Sequence, residues 1–580
     1  METNPPQNEL DDGGNAINNA AADNTGTLFS NSPIVHKWEV PLVELQMENV
    51  TYAPITMTAR SSMRMKSSGA EKQRTTVLKN VTTSVSPYKL TAWMGPSGSG
   101  KTSLISVAAD LIRPGDLQES SRISVNGEKG RIPKRIVGVV WQDDLLLSNL
   151  TVEENIYFAA RLKTPEITPD HEVKQIVEDT MEELGLTQIR SRLVGSHLTA
   201  VRGISGGERK RVSVACELVA RPSLLLLDEP TSSLDANTAQ SLMATLKELA
   251  LLGHSIAVVI HQPRTTIFNM LDHLLLLSKG QVVFDGEPDK VRAYLESCPS
   301  VTELPPETGI ADWIMDLITQ DERGEGGGCL ANHWVKCHSE GCVAQDPSRS
   351  MQKRKSSRRM SSLSELHSVP KFNVGFRTQL KLLTRRTVKQ QRGERLTMTA
   401  GLLQFAYLFF TALFWWRMPD DTDHIFQRNS LLFFMIIAQA NGIVVNAVTV
   451  FQQERALLHR ERSKKMYGVA SYFLAKVTSD MTNNVLLPLL YGMIVYWTAN
   501  FRPTAAAYFQ FILAFYLTLS TAQSMGLFLS IAIPKPQMSL VLAPPITLCK
   551  ITYPSCMKVL LCAQLTHSLD LLRYSFHDVS

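Results

Sequence analysis

The last third of this chain contains four stretches without a single charged residue: 396–416, 429–453, 481–501 and 503–534. Their lengths are 21, 25, 21 and 32 residues. A helix needs about 20 apolar residues to cross a hydrocarbon core ~30 Å thick. Inside that core every backbone N–H and C=O must be bonded within the segment, so such stretches fold as helices. The longest run includes loop, and its helix is expected at about 505–532. Trp415, Trp416, Tyr491 and Trp497 lie near run ends, as interfacial aromatics do. A buried helix of a soluble protein explains any one run, but not four in succession.

Charge is distributed unevenly along the chain. It fills the first two-thirds and then withdraws, which implies a soluble domain joined to a membrane domain. The net charge of +5 over 580 residues gives no reason to invoke nucleic acid. Residues 1–37 are polar and rich in Asn and Gly, with no apolar core of a secretory signal, and read as a disordered tail. Lys and Arg set the orientation. The segment before 396 is basic, and the one after 416 is acidic. The loop 454–476 carries Arg455, Arg460, Arg462, Lys464, Lys465 and Lys476, and Lys535 follows the fourth run. This alternation predicts a multi-pass membrane protein whose soluble domain, 454–476 loop and segment after 534 are cytoplasmic.

Between about 38 and 300 the pattern changes to alternating strands and helices. LTAWMG (90–95), RIVGVVW (135–141), SLLLLD (223–228) and SIAVVI (255–260) are short apolar runs ending in loops, each suited to a strand buried on both faces. Helical patterns at 171–185 and 237–253 separate some of them. The fold class expected is an α/β domain with a largely parallel sheet, followed by an all-α polytopic membrane domain.

GPSGSGKT supplies the first chemistry: Gly95, Pro96, Ser97, Gly98, Ser99, Gly100, Lys101 and Thr102, followed by Ser103. It follows a strand-like run and opens a helix-like one. The glycines let backbone N–H groups close around phosphates, Lys101 reaches the β- and γ-phosphates, and the Thr102 hydroxyl ligates Mg²⁺. SLLLLDEP supplies the complement. Asp228 at the strand end suits the Mg²⁺ shell, and Glu229 suits polarisation of the attacking water. Alone, an apolar run ending in Asp-Glu is only a strand and a capped turn; after a P-loop it reads as catalytic. A second anion site precedes it. Ser205, Gly206, Gly207 and Glu208 open an amphipathic helix, where free N–H groups and a hydroxyl gather.

That SGGERKR segment resembles the signature of the ABC transporter ATPases, in the form of the G subfamily, the eye-pigment and sterol-exporter type of half-transporter. Other motifs resemble the family in the expected order. By that resemblance Gln142 in VVWQDD contacts Mg²⁺ and relays to the membrane domain, Asp235 lies in the D-loop, and His261 in VIHQP touches the γ-phosphate. Tyr52 resembles the aromatic that stacks on adenine. The resemblance covers about 40–300 and 376–545, with the ATPase first. It includes a cytoplasmic loop in which Glu454, Arg455 and Glu461 lie on the helix that meets the ATPase.

The resemblance implies ATP and Mg²⁺ as cofactors and a homo- or heterodimer with another half-transporter. In such a dimer, SGGER of one subunit closes over the ATP on the other's P-loop. It implies export of hydrophobic or amphipathic, lipid-like molecules. A non-transporting ABC ATPase is disfavoured by the membrane runs; a regulatory subunit with an incomplete membrane domain is the remaining alternative. Gln439, Asn441, Asn446, Asn483 and Asn484 fit either a polar cavity or interhelical hydrogen bonds.

Residues 301–376 read as a basic, flexible linker, and 377–580 as the membrane domain. Within the linker, Cys329, Cys337 and Cys342 match no standard zinc spacing, and Ser361 follows a basophilic-kinase pattern. Residues 536–580 are atypical. The run 536–549 is only 14 residues long and contains Pro544 and Pro545, so the expectation is an incomplete translocation path.

Overall fold

The computed structural model describes residues 40–54, 74–195, 203–232, 234–298, 301, 304–305, 308–323, 329–339, 372–392, 398–419, 424–533 and 535–552. The four apolar runs read as strands fall on β3 (Leu90–Met94), β6 (Val137–Val140), β7 (Leu224–Asp228) and β8 (Ser255–Val259), and every residue in them is buried. With β9 (His273–Ser278) they pair in parallel, and β10 (Gln281–Gly286) closes one edge antiparallel; the order is β10-β9-β3-β8-β7-β6. Burial on both faces explains why these runs lack polar alternation.

Two apolar layers flank the sheet, and the period of two along a strand feeds both. Leu225 and Leu227 of β7 enter one layer, and Leu224 and Leu226 enter the other. The second layer is closed by α1 (Lys101–Ala108) and a four-stranded antiparallel sheet. That sheet has the order β2-β1-β4-β5, with β1 Leu45–Tyr52, β2 Leu78–Val85, β4 Arg122–Val125 and β5 Glu128–Lys129. The first layer lies under α2 (Val152–Lys163), α3 (Asp170–Glu183), α4 (Gly206–Leu218), α5 (Ala236–Leu251), α6 (Thr265–Phe268) and α7 (Pro288–Glu296).

The stretch read as linker needs correction. It contains α8 (Ile310–Arg323) and α9 (Cys329–Ser339), and α8 belongs to the ATPase core. Ala311, Trp313, Ile314, Met315, Leu317 and Ile318 are buried there, and Leu330 of α9 joins them. Their helical spacing places them on one broad apolar face, about 200° of the helix, which the Gly-rich and basic flanks obscured.

The membrane half is helical. It comprises α10 (Phe376–Arg392), α11 (Met398–Phe414), α12 (Ile425–Ser463), α13 (Val469–Thr498), α14 (Ala505–Ala532) and α15 (Pro536–Thr552). Among the described residues, 425–452 and 505–532 are long and apolar enough to cross a bilayer, and 401–414 is a shorter apolar stretch. The run 481–501 lies mostly in α13, after Lys476 and Asp480. Small residues set the packing of α12 on α14. A Cβ on Gly526 would meet the Ala447 methyl at 2.7 Å and the Val444 carbonyl at 2.9 Å. On α11, Leu402, Phe405, Phe409 and Leu413 form an exposed apolar stripe, as a lipid-facing surface requires.

Two membrane expectations also change. The helix that holds the second run is 39 residues long, so the helix expected to carry Glu454, Arg455 and Glu461 is the continuation of α12 and not a separate element of the 454–476 loop. Residues 536–552 form a helix despite Pro544 and Pro545, and α15 packs against α12 and α14. At 17 residues it is about 25 Å long, and neighbouring helices can accommodate the prolines' missing donors. The Asn483 and Asn484 side chains, the Cys329 side chain, Cys342, Ser361 and 553–580 lie outside the described residues. Gln439, for which a polar cavity and an interhelical bond were both open, exchanges amide hydrogen bonds with Gln404 of α11 at 3.0 and 3.2 Å.

Candidate nucleotide site and its link to the membrane helices

Parallel pairing sends the loops after β3, β6, β7 and β8 to one edge of the sheet. The P-loop follows β3, Gln142 follows β6, Glu229 follows β7 and His261 follows β8. Gly95, Gly98 and Gly100 have φ of 150°, 86° and 101°. At Gly95 the need for glycine is absolute in steric terms, since a Cβ would sit 2.2 Å from the Leu277 carbonyl oxygen. A Cβ on Gly98 would meet nothing within 4 Å, so the loop is open on that side.

The charged groups converge behind the loop. The Lys101 ammonium donates to the Gly95 and Pro96 carbonyls at 2.8 and 2.7 Å, folding back over the cradle. Burial pulls its pKa down, while Glu229 and Asp228 pull it back up. Asp228 is buried and accepts a hydrogen bond from the Thr102 hydroxyl. Burial raises its pKa, Thr102 opposes that rise, and Glu229 adds to it. Gln142 Nε2 donates to Glu229 Oε2 at 2.9 Å. Glu229 itself adopts a left-handed φ of 46° and is anchored by its N–H on the Val259 carbonyl at 3.0 Å.

These groups fit a triphosphate with its cation. The open cradle and the Lys101 ammonium suit phosphate oxygens, and an exposed hydroxyl beside a buried carboxylate suits a hard divalent ion. Tyr52 ends β1, where burial followed by Asp116 raises its pKa. His261 is exposed in the loop after β8.

The other predicted residues cluster apart. Ser205 caps α4 through a reciprocal pair: Glu208 N–H donates to Ser205 Oγ at 3.3 Å, and Ser205 N–H donates to Glu208 Oε2 at 2.7 Å. Asp235 caps α5 by accepting from Thr238 N–H at 3.0 Å. The two caps abut, because a Cβ on Gly207 would sit 2.8 Å from the Thr238 methyl. Among the described residues, no hydrogen bond joins Ser205–Glu208 to the P-loop of the same chain.

Sequence reading missed the residues that tie this site to the membrane helices. Lys210, 3% exposed on α4, donates to the Gln142 carbonyl at 2.8 Å and pairs with Asp144 at 3.0 Å, so it holds the loop bearing Gln142. Glu217, on the same helix, is buried among Lys163 at 2.9 Å, Lys464 at 2.6 Å and Arg460 at 3.5 Å. Burial alone would raise the Glu217 pKa, but the three cations hold it well below the usual carboxylate range. The Lys464 ammonium also donates to the Val139 carbonyl of β6 at 2.8 Å. The charged contact of α12 with the ATPase half thus runs through Arg460 and Lys464. Glu461 instead forms a bidentate pair with Arg386 of α10 at 2.7 and 3.0 Å, and Glu454 pairs with Lys476 at 2.8 Å. The basic character of 454–476 was visible in the sequence, but the partner Glu217 carried no signal.

A phosphate cradle with its acidic strand end, joined by buried charges to apolar helices, defines an ATP-hydrolysing membrane transporter. A family model described as ABC transporter matches residues 78–232, and one described as ABC-2 type transporter matches 378–554. The chain is 32% identical over 507 residues to ABC transporter G family member 21 of Arabidopsis thaliana, an alignment covering 83% of this chain and 73% of that one. It is 34% identical over 480 residues to G family member 25 of the same plant, covering 79% and 70% of the two chains. It is 32% identical over 472 residues to the broad substrate specificity ATP-binding cassette transporter ABCG2 of Rattus norvegicus, covering 76% and 69%. The chain belongs to the ABC transporter G family.

Proposed function

We propose that this chain is one half of a dimer in which ATP hydrolysis drives lipid-like or amphipathic molecules outward across a membrane. The observation that carries the dimer is the separation of two half-sites in one chain. Lys101, Thr102, Asp228, Glu229 and Gln142 are gathered at one place. Ser205 and Gly206 stand exposed at the N-terminus of α4, and among the described residues the Ser205 side chain bonds only within its own cap. A helix N-terminus with an exposed hydroxyl is a half-site for a phosphate delivered by another subunit.

In this reading Gly95–Ser103 bind the phosphates, with Lys101 on the outer two. Thr102, Asp228 and Gln142 hold Mg²⁺, which neutralises charge on the phosphates when bound. Glu229 accepts the proton of the attacking water, His261 orients against the terminal phosphate, and Tyr52 stacks on the base. Ser205–Glu208 and Asp235 face the opposite subunit's nucleotide. The ATPase half, 454–476 and the segment after 534 share the cytoplasmic side.

Mixed dimers test the arrangement. Lys101→Ala and Ser205→Ala on different subunits leave one composite site free of both changes, so part of the hydrolysis should return. Equal inactivity of the mixed and the doubly mutant dimers would falsify the shared site. Hydrolysis by the purified chain, measured across sterols, phospholipids and amphipathic drugs, tests the cargo class: stimulation by none of them removes it.

A further inference from the structure

The back of the P-loop lies against the turn between β9 and β10. Lys279 and Gly280 make that turn, with φ of 44° and 80°, the two left-handed residues of a tight hairpin. Gly280 is held on two sides. Its N–H donates to the Ser99 carbonyl of the P-loop at 3.1 Å, and its own carbonyl accepts from Lys79 N–H of β2 at 2.8 Å. A Cβ there would collide with the Val77 carbonyl oxygen, so the turn fits closely between the P-loop and β2. A trans peptide points its C=O and the next N–H in opposite directions. With the Ser99 carbonyl aimed at Gly280, the Gly100 N–H points away from the hairpin, and among the described residues no backbone carbonyl accepts from it. The turn thus sets the direction of one donor in the phosphate cradle.

What holds the turn is the end of α8. Glu322 Oε1 accepts from Ser278 Oγ at 2.9 Å and from Lys279 N–H at 3.2 Å. In return the Lys279 ammonium donates to the Glu322 carbonyl, at the helix end where a cation also suits the dipole. Ser278 is buried and Glu322 half-buried. Helix α8 is already fixed by Trp313, Ile314, Leu317 and Ile318 in the core, so it does not need Glu322 to stay in place. The effect of the clamp falls on the turn instead. Helix α9 steadies the second arm of the hairpin, where Trp334 meets Phe284 of β10 edge-on at 5.8 Å between ring centres. The Glu322 charge is felt inside the site, since it joins Glu229 and Asp228 in raising the Lys101 pKa against the downward pull of burial. A negative charge there opposes phosphate, so attraction of the nucleotide does not explain the position of Glu322, whereas its bonds to the turn do.

We propose that Glu322 is a positioning residue for the nucleotide: through Lys279 and Gly280 it holds the Ser99 peptide so that the Gly100 N–H faces the phosphates. Glu322 acts only through the turn and makes no bond to phosphate itself. The assignment rests on the reading of Gly95–Thr102 as the phosphate site.

The test measures binding of Mg·ATP to the purified full chain, by displacement of a trinitrophenyl-ATP probe, together with hydrolysis at saturating ATP. Two substitutions separate position from charge. Glu322→Ala removes the acceptor and the charge, while Glu322→Gln removes the charge and keeps an acceptor oxygen. Positioning predicts a Kd raised about fivefold in Glu322→Ala, the equilibrium worth of one ordinary hydrogen bond, with saturated hydrolysis within about twofold of wild type. Glu322→Gln should bind about as well as wild type, because relief of the negative charge near Lys101 offsets the weaker neutral bond. A role through charge alone tightens binding in both variants, and a role in stability alone lowers the unfolding temperature of Glu322→Ala without moving its Kd. No rise in Kd for Glu322→Ala, or a rise as large for Glu322→Gln, overturns the proposal. If Glu322→Ala does not fold, Ser278→Ala removes one of the two acceptor bonds and is read in the same way. Lys101→Ala separates the two possible failures. Binding retained there removes the phosphate site itself; binding lost there but unchanged in Glu322→Ala removes only the role of Glu322.

Discussion

Removing the two members of the closest ion pair between the ATPase half and α12 should have unequal consequences. Glu217 is 5% exposed and faces Lys163, Arg460 and Lys464. In Glu217→Gln all three cations remain buried without their shared anion, a loss of about 3–5 kcal/mol for breaking a buried pair. Lys464→Met removes one cation of three and leaves Glu217 with Lys163 and Arg460. The charge-assisted bonds lost with it are worth about 1.5–3 kcal/mol each. Part of that is offset, because burial disfavours the Lys464 ammonium strongly enough to bring its pKa to about 7 despite Glu217. The expected net cost is therefore roughly 1–2 kcal/mol. The double variant should fall short of the sum, since the second change relieves part of the excess charge left by the first. Thermal unfolding of the purified full chain in detergent reads the stability order, and the ratio of substrate-stimulated to basal hydrolysis reads coupling. Lys464 also grips Val139, three residues before Gln142, so its loss should lower that ratio while sparing basal hydrolysis. Equal losses in the two single variants, or strict additivity in the double, would refute the shared-anion reasoning.

Glu229→Gln should retain ATP binding and lose hydrolysis by about 10²–10⁴-fold, the usual effect of removing a general base; turnover within threefold of wild type in a phosphate-release assay contradicts the role. Gly95→Ala should abolish nucleotide binding measured by equilibrium titration, because its Cβ would collide with backbone at 2.2 Å, whereas Gly98→Ala meets no neighbouring atom, is strained only by its φ of 86°, and should be milder. His254 is buried, with Nδ1 2.6 Å from the Pro222 carbonyl, and burial lowers its pKa. Below roughly pH 6.5 the unfolded chain takes up a proton that the folded chain resists, so stability should fall with falling pH, by at most about 1.4 kcal/mol per unit. His254→Gln should flatten the unfolding temperature measured from pH 7 to 5.5; an unchanged slope removes His254 as the cause.

Phosphate chemistry made part of this molecule legible in advance. A P-loop needs its residues contiguous, so Gly95–Thr102 could be read as a string, and a buried strand ending in Asp228 and Glu229 places its acids by position alone. The cap formed by Ser205 and Glu208 follows from their three-residue spacing. Other features depend on which distant surface a residue meets. Trp313 and Ile314 lie among flanks of linker composition, and only the helical period of α8 marks them as core. The extent of α12 was misjudged because hydropathy ends at Glu454 while backbone hydrogen bonding does not. Lys210 and Lys464 look like ordinary solvated lysines until the fold buries them.

The location of those buried charges has a physical consequence. An apolar contact between α12 and the ATPase half would hold over a range of sliding positions, because hydrophobic attraction is not directional. The Glu217 cluster does not permit this. Its cations come from α2 and from the end of α12, and each must reach the same two oxygens to avoid being buried alone. A small displacement of α12 therefore cannot be absorbed at this contact. It must either admit water to the cluster or move α4 and β6 with it through Glu217 and Val139. Since α4 is capped by the exposed Ser205 and β6 leads to Gln142, the Ser205 cap and the loop bearing Gln142 both lie along those two connections. The cluster thus contributes more to registry than to net stability, and registry is what a transporter needs where its motor meets its moving helices.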